Sequence, residues 1–263
     1  MSQTEILYPY SSVAIAITLF FAMLLFNEIG FRVGRFVQEH TDSEVKALTG
    51  SIQASVLGLL ALMLGFTFSM SMQRYDGRSM ALIEEANAIG TTQLRLRLLP
   101  HQYQDDAQVL LGRYLDARVA MGKIALTNKA QRAQYNQQVS TLQQELWALA
   151  VQATDDDPRA VTTGAFVQSL NAMIDAQGKR NALQEMHVPE TVLLLLFIVF
   201  ISSGAMMGYS GGLSGKRIIA PVMLVSLLVT LIVFIIIDID RPKRGLIQVN
   251  QAPLLELRHS TLN

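Results

Sequence analysis

The chain has 263 residues, 51 % hydrophobic and 16 % charged, with basic and acidic side chains in equal number and no cysteine. So apolar a balance excludes an ordinary soluble domain. Zero net charge removes the electrostatic footprint of a nucleic-acid-binding protein, and the lack of cysteine removes disulfides, thiol catalysis and cysteine-held metals.

The apolar residues come in blocks, and a bilayer requires roughly 20 such residues per spanning helix. The first block, Ile6 to Asn27, has Tyr8 and Tyr10 where an interfacial aromatic belt belongs. Glu5 precedes it, no Lys or Arg does, and the run exceeds the apolar stretch of a signal peptide, so it reads as a retained helix. The second, Ala47 to Gln73, is bounded by Lys46 and Arg74 and ends in the charged run QRYDGR. No breaker follows, so this helix is expected to continue past Arg74. The third, Thr191 to Gly215, starts after Pro189, which suits a first helical turn, and the fourth runs from Ile218 to Ile237 and stops at Asp238. Only a short turn around Lys216 and Arg217 joins these two, which makes them an antiparallel hairpin.

Between the second and third blocks the sequence is polar and reads as helices. The stretch from Met80 to Leu99 offers Leu82, Ala86, Ile89, Leu94 and Leu98 as one buried face, with Pro100 at its end. A second helix, from Tyr103, offers Val109, Leu110, Tyr114, Leu115 and Val119. A third, from Gln131, offers Val139, Leu142, Leu146, Trp147 and Leu149. Thr154 to Pro158, TDDDP, has the acidic residues and proline of a helix start, leading into a last helix over about Val161 to Met186. A calcium site at Asp155, Asp156 and Asp157 is the weaker reading, because the spacing and glycine of an EF-hand loop are missing.

The expected fold is therefore an all-α membrane protein with four transmembrane helices and a helical bundle inserted between helices 2 and 3. Residues 6–73 hold the first two spans, 74–188 the bundle, 189–240 the last two spans and 241–263 a tail. An even number of spans puts both termini and the bundle on one face. Arg32, Arg35 and Lys46 argue for the opposite face being cytoplasmic, but Arg74, Arg78, Lys179, Arg180, Arg241, Lys243 and Arg244 outnumber them, so the termini and bundle are expected in the cytoplasm.

No catalytic signature is present. His40, His101, His187 and His259 are scattered, no GxSxG, HExxH or Walker-type loop occurs, and GYSGGLSGK at Gly208 to Lys216 belongs to a hairpin turn. Neither an enzyme, a cofactor nor a metal site is expected. The second span carries a clearer pattern: Ser51, Ser55, Gly58, Leu62, Gly65 and Ser69 recur at spacings of four and three, along one side of a helix. Such a stripe either lets helices pack closely or lines a pore, with Phe66 or Phe68 as a hydrophobic constriction. At the membrane edge, Arg74, Asp76 and Arg78 follow the second span and Asp238, Asp240 and Arg241 the fourth. They are either interfacial anchors or an ion vestibule and cation-dependent latch with Asp238 and Asp240 as ligands.

NEIGFRVGR at Asn27 to Arg35, SVLGLLALMLGFTFSMSMQRYDGR at Ser55 to Arg78, EEANAIGT at Glu84 to Thr91, LLP at Leu98 to Pro100 and DIDRPKRGLIQV at Asp238 to Val249 resemble a family of bacterial membrane proteins with a bestrophin-like domain. Bestrophins are pentameric anion channels whose second transmembrane helix lines the pore and whose cytosolic part is helical. The resemblance implies an inner-membrane homo-oligomer, five-fold in the manner of bestrophins, that passes small anions, with the stripe from Ser55 to Ser69 facing the axis, Phe66 near the constriction and the bundle around a lower vestibule. The arginine-phenylalanine-proline element and the long acidic calcium clasp of true bestrophins are absent. Its partners would be the lipid bilayer, further copies of itself and small ions. The competing reading is a non-conducting membrane-anchored scaffold or sensor whose bundle binds a partner.

Overall fold

The computed structural model describes residues 10–124, 128–217, 219–241 and 245–261. Glu5, Ile6, Tyr8, Ile218, Lys243 and Arg244, named above, lie outside them. Among the described residues every regular element is helical. They divide into two compact units, one drawn from residues up to 73 with 187–241 and 245–247, the other from 74–186 with the residues from 248 onward.

The first unit contains α1 (Ser12–Val37), the first part of α2 (Ser43–Arg95), α6 (Glu190–Leu213) and α7 (Ile219–Asp240). All four helices are long and apolar enough to cross a bilayer, so the chain is a four-span membrane protein. Ser11 caps α1 by accepting the Ala14 N–H at 3.0 Å. The helix then runs ten residues past Asn27, through Glu28, Arg32 and Arg35. The fourth span likewise extends beyond Asp238, to Asp240, so that both carboxylates belong to its last turn.

Glycines bring α1 and α6 together. A methyl group at Gly30 would collide with the carbonyl of Ala205, at Gly34 with that of Tyr209, at Gly208 with that of Asn27 and at Gly212 with that of Phe31. Without side chains at these places the backbones touch, and dispersion over that contact replaces the hydrophobic effect that lipid cannot supply. Asn27 adds an interhelical bond, its Nδ2 donating to the Gly204 carbonyl at 3.0 Å. The core of this unit is completed by Met23, Leu60, Leu64, Leu196, Phe200, Val233 and Ile236.

The second unit contains the rest of α2, a 3-10 turn at Leu96–Leu98, α3 (His101–Gly122), α4 (Lys129–Asp156), α5 (Thr163–Glu185) and α8 (Ala252–Thr261). Its core is built from Ile89, Tyr114, Leu142, Leu146, Phe166, Leu170, Met173 and Leu254. Four residues expected inside are outside: Leu94 is 77 % exposed, Val109 61 %, Trp147 41 % and Leu98 40 %. Leu94, Val109 and Trp147 each stand roughly 100° or more around their helix from the face that is buried, and Leu98 falls in the 3-10 turn, where the α-helical spacing has ended. That face runs Leu82, Ala86, Ile89 in α2, Ala107, Leu111, Tyr114, Leu115 in α3, and Val139, Leu142, Leu146, Ala150, Ala153 in α4.

TDDDP ends a helix instead of starting one. Pro158 disfavours helical geometry at the residue before it, and Asp157 is non-helical (φ −137°, ψ 89°), so α4 stops at Asp156. The Asp157 carboxylate then organises the turn, accepting from Arg159 Nε at 2.7 Å and Thr162 Oγ1 at 2.6 Å. The Arg159 guanidinium and the Thr162 hydroxyl hold that carboxyl well below the usual range. In the tail, α8 packs on α3, with Leu254 buried and Arg258 Nε 2.6 Å from Asp116 Oδ1.

Candidate functional site

Among the described residues the small-residue stripe of α2 faces no other element. Ser51, Ser55, Gly58, Leu62, Gly65 and Ser69 are all exposed, and a methyl built on Gly58 or Gly65 meets nothing within 4 Å. Close packing among the described residues of the chain therefore does not explain the two glycines, in contrast to Gly30 or Gly208. The Ser51 and Ser55 hydroxyls donate to carbonyls one turn back, of Ala47 at 3.3 Å and Ser51 at 3.0 Å, which leaves their lone pairs outward. The opposite side of the helix is buried through Leu60, Leu64, Thr67 and Ser71. Phe66 is 64 % exposed and Phe68 39 %. At 100° per residue Phe66 lies roughly 60° from the centre of the stripe and Phe68 roughly 100° on its other side.

The uncovered faces of the other spans look different. On α1 they present Val13, Ile17, Phe21 and Leu25, and on α7 Leu224, Leu227, Leu228 and Leu231, all large apolar side chains suited to lipid. The stripe on α2 offers hydroxyls and bare backbone, which lipid does not solvate. In its most apolar 18-residue window α2 is 22 % buried, against 39 % for α7. Among the described residues the second span is the least covered of the four.

The membrane-edge charges separate into distinct jobs. Asp238 accepts from Ser12 Oγ at 3.2 Å and from the Ile247 N–H at 3.0 Å, joining the end of α7 to the start of α1 and to the segment at 245–247. A side chain at Gly245 would run into the Asp238 carboxylate, which accounts for glycine there. Asp240 accepts the Val188 N–H on both carboxylate oxygens, at 3.0 and 3.1 Å, and His187 Nδ1 lies 3.2 Å from its carbonyl. Arg241 donates to the Tyr10 carbonyl. Both carboxylates are buried and engaged by backbone and hydroxyl donors. Among the described residues no group of three or more His, Asp or Glu is disposed to hold a metal ion.

In the second unit Arg78 is buried and donates from Nε to the Leu183 carbonyl at 3.2 Å and from Nη2 to the Met186 carbonyl, at the end of α5, where a helix exposes unpaired acceptors. Arg74 is half-buried, and its Nε has no hydrogen-bond partner among the described residues. Asp76 is exposed and follows Ser69 and Gln73 at the same four-and-three spacing as the stripe.

A further charged group, not singled out from the sequence, lies inside the second unit. Glu85 of α2 is fully buried and accepts from Arg118 Nε on one oxygen and Arg180 Nη1 on the other, both guanidiniums being 3 % exposed or less. Arg180 also donates to Gln251 at 2.9 Å, and Arg118 Nη1 lies 3.3 Å from the Met121 sulfur. Burial pushes the Glu85 carboxyl up, and the Arg118 and Arg180 charges outweigh it, holding the group below the usual carboxylate range. Burial and the Glu85 charge push the Tyr114 phenol upward. Glu85 falls on the Leu82–Ala86–Ile89 face, so a charge within an apolar stripe was its sequence signal.

A family described as Bestrophin-like domain matches residues 20–254. Among solved structures, a substituted form of a bacterial bestrophin homologue from Klebsiella pneumoniae superposes with a TM-score of 0.70 at 14 % identity, covering 96 % of this chain and 97 % of that one. A second form of the same homologue gives 0.64 at 15 % identity over 93 % and 98 %. A structure described only as a membrane protein gives 0.64 at 16 % identity over 94 % and 97 %. No curated protein matches the sequence.

Proposed function

The chain belongs to the bestrophin-like family, and on that premise we propose that it is a homo-oligomeric ion channel of the bacterial inner membrane whose α2 helices line the conduction path. The observation that carries the reading is the small, polar, uncovered stripe on α2. From Ser51 to Ser69 it rises roughly 27 Å, close to the hydrocarbon thickness of a bilayer. A face of that length and composition must be met by water or by another copy of the chain. A ring of α2 helices around an axis meets both needs, with hydroxyls and glycine backbone towards water and Phe66 narrowing the path.

Small anions are the cargo that family likeness favours. The stripe itself is neutral, so charge selectivity falls to the groups at its end, where the Asp76 carboxylate works against the preference for anions. The excess of Arg and Lys on the face that carries Arg74, Arg78, Lys179 and Arg180 supports a cytoplasmic location for the termini and the second unit.

The test is ion flux from liposomes containing the purified chain, with Gly58→Leu and Gly65→Phe. Conduction by the parent chain that is abolished in both variants, with the oligomer intact on size exclusion, supports a pore. Loss of the oligomer in both variants, with no flux from the parent chain, supports a packed scaffold instead.

A further inference from the structure

A groove of about 430 Å³ opens in the first unit between α1, α6 and α7, with Gln53 of α2 also lining it, on the side of the α6–α7 turn. Its walls are mainly apolar, with Leu24 and Phe31 from α1, Met207 from α6 and Val222, Met223 and Val225 from α7, interrupted by Asn27, Gln53, Ser210 and Ser214. One end is different. Lys216 and Arg217, in the turn, line it together with Glu28, giving two cations against one carboxylate. That carboxylate is shared further, since Glu28 Oε1 accepts from Arg32 Nε at 2.9 Å as well as from Arg217 Nη2 at 3.1 Å. The Arg217 guanidinium also sits 4.5 Å from the centre of the Phe31 ring, which fixes it at the mouth of the groove. Lys216 is exposed beside it. Ile219 and Pro221 of the first turn of α7 line the same end and add the positive pole of that helix.

We propose that this groove is a binding site for one anionic phospholipid, with the phosphate on Lys216 and Arg217 and an acyl chain along the wall formed by Leu24, Met207 and Val222. An apolar trough between membrane spans that ends in uncompensated positive charge has the two-part chemistry of such a molecule. A free phosphate would use only the charged end and leave the trough empty. A zwitterionic lipid would fill the trough but bring an ammonium group to a site already in positive excess. The proposal is independent of conduction, because none of these residues belongs to the α2 stripe.

The full chain, purified in neutral detergent, would be mixed with phosphatidylglycerol, phosphatidylcholine or glycerol phosphate and followed by native mass spectrometry and thermal melting. The expected result is retained phosphatidylglycerol with a raised melting temperature, and neither effect from the other two. Lys216→Gln, at an exposed site, should weaken retention about fivefold, as should each further cation removed. Val222→Trp, which fills the trough and leaves both cations, should abolish it. Glu28→Gln, which releases Arg217, should strengthen it. Equal retention of the two lipids, the same stabilisation by glycerol phosphate alone, or unchanged preference in both Lys216→Gln and Val222→Trp would each overturn the proposal.

Discussion

At the scale of single residues, the strongest electrostatic commitment is Glu85. One carboxylate serves two buried guanidiniums, so Glu85→Gln leaves uncompensated charge inside the second unit and should cost about 3–5 kcal/mol in chemical denaturation. The carboxyl is held below its ordinary range, so its contribution is complete above the unfolded value, near pH 4, and is lost as pH falls through the lowered one. The melting temperature of the parent chain should therefore drop on acidification below about pH 4, with a shallower dependence in Glu85→Gln, as read by circular dichroism. A second residue-scale expectation concerns Asp76. If it stands at the end of the conduction path, Asp76→Asn should raise anion over cation permeability, read as a shift in reversal potential across a salt gradient, with no change in melting temperature because the side chain is exposed. Glu85 was not singled out from the sequence, although a charge on an apolar face marks it, and its partners carry no mark at all. Arg118 and Arg180 are distant in sequence, and only the meeting of α2, α3 and α5 brings them to it.

At the scale of elements, the four spans were legible because each apolar run meets the length a bilayer imposes. Their ends were less so, since a run of hydropathy stops at the first charge while a helix does not. Thus α1 continues through Arg35 and α7 through Asp240, and in α7 the extra turn is what places Asp238 and Asp240 on their partners. The TDDDP turn shows the same limit in reverse, because proline is compatible with a helix start but forbids helix at the residue before it. Gly30 and Gly34 on α1 and Gly204, Gly208 and Gly212 on α6 stand at a spacing of four, a packing pattern not singled out from the sequence. Nor does the pattern tell which helix each glycine faces, for spacing carries no address. Gly208→Leu should force the α1 and α6 backbones apart and lower stability by about 1–3 kcal/mol or more, measured by thermal melting in detergent. A leucine at Gly65, with open space around it in the protomer, should leave the melting temperature of the dissociated chain unchanged.

At the scale of the whole molecule, the two sets of glycines divide the work. Those on α1 and α6 are consumed in building one protomer, while Gly58 and Gly65 on α2 have nothing to pack against until another copy or water arrives. That asymmetry, joined to membership of the bestrophin-like family, is the basis for placing conduction on α2. The most direct measurement is therefore flux of chloride and of sodium from liposomes containing the purified chain, parent against Gly65→Phe. The account predicts flux from the parent and none from an assembled Gly65→Phe oligomer. Undiminished flux through that variant, or no flux of either ion from an assembled parent chain, would contradict it.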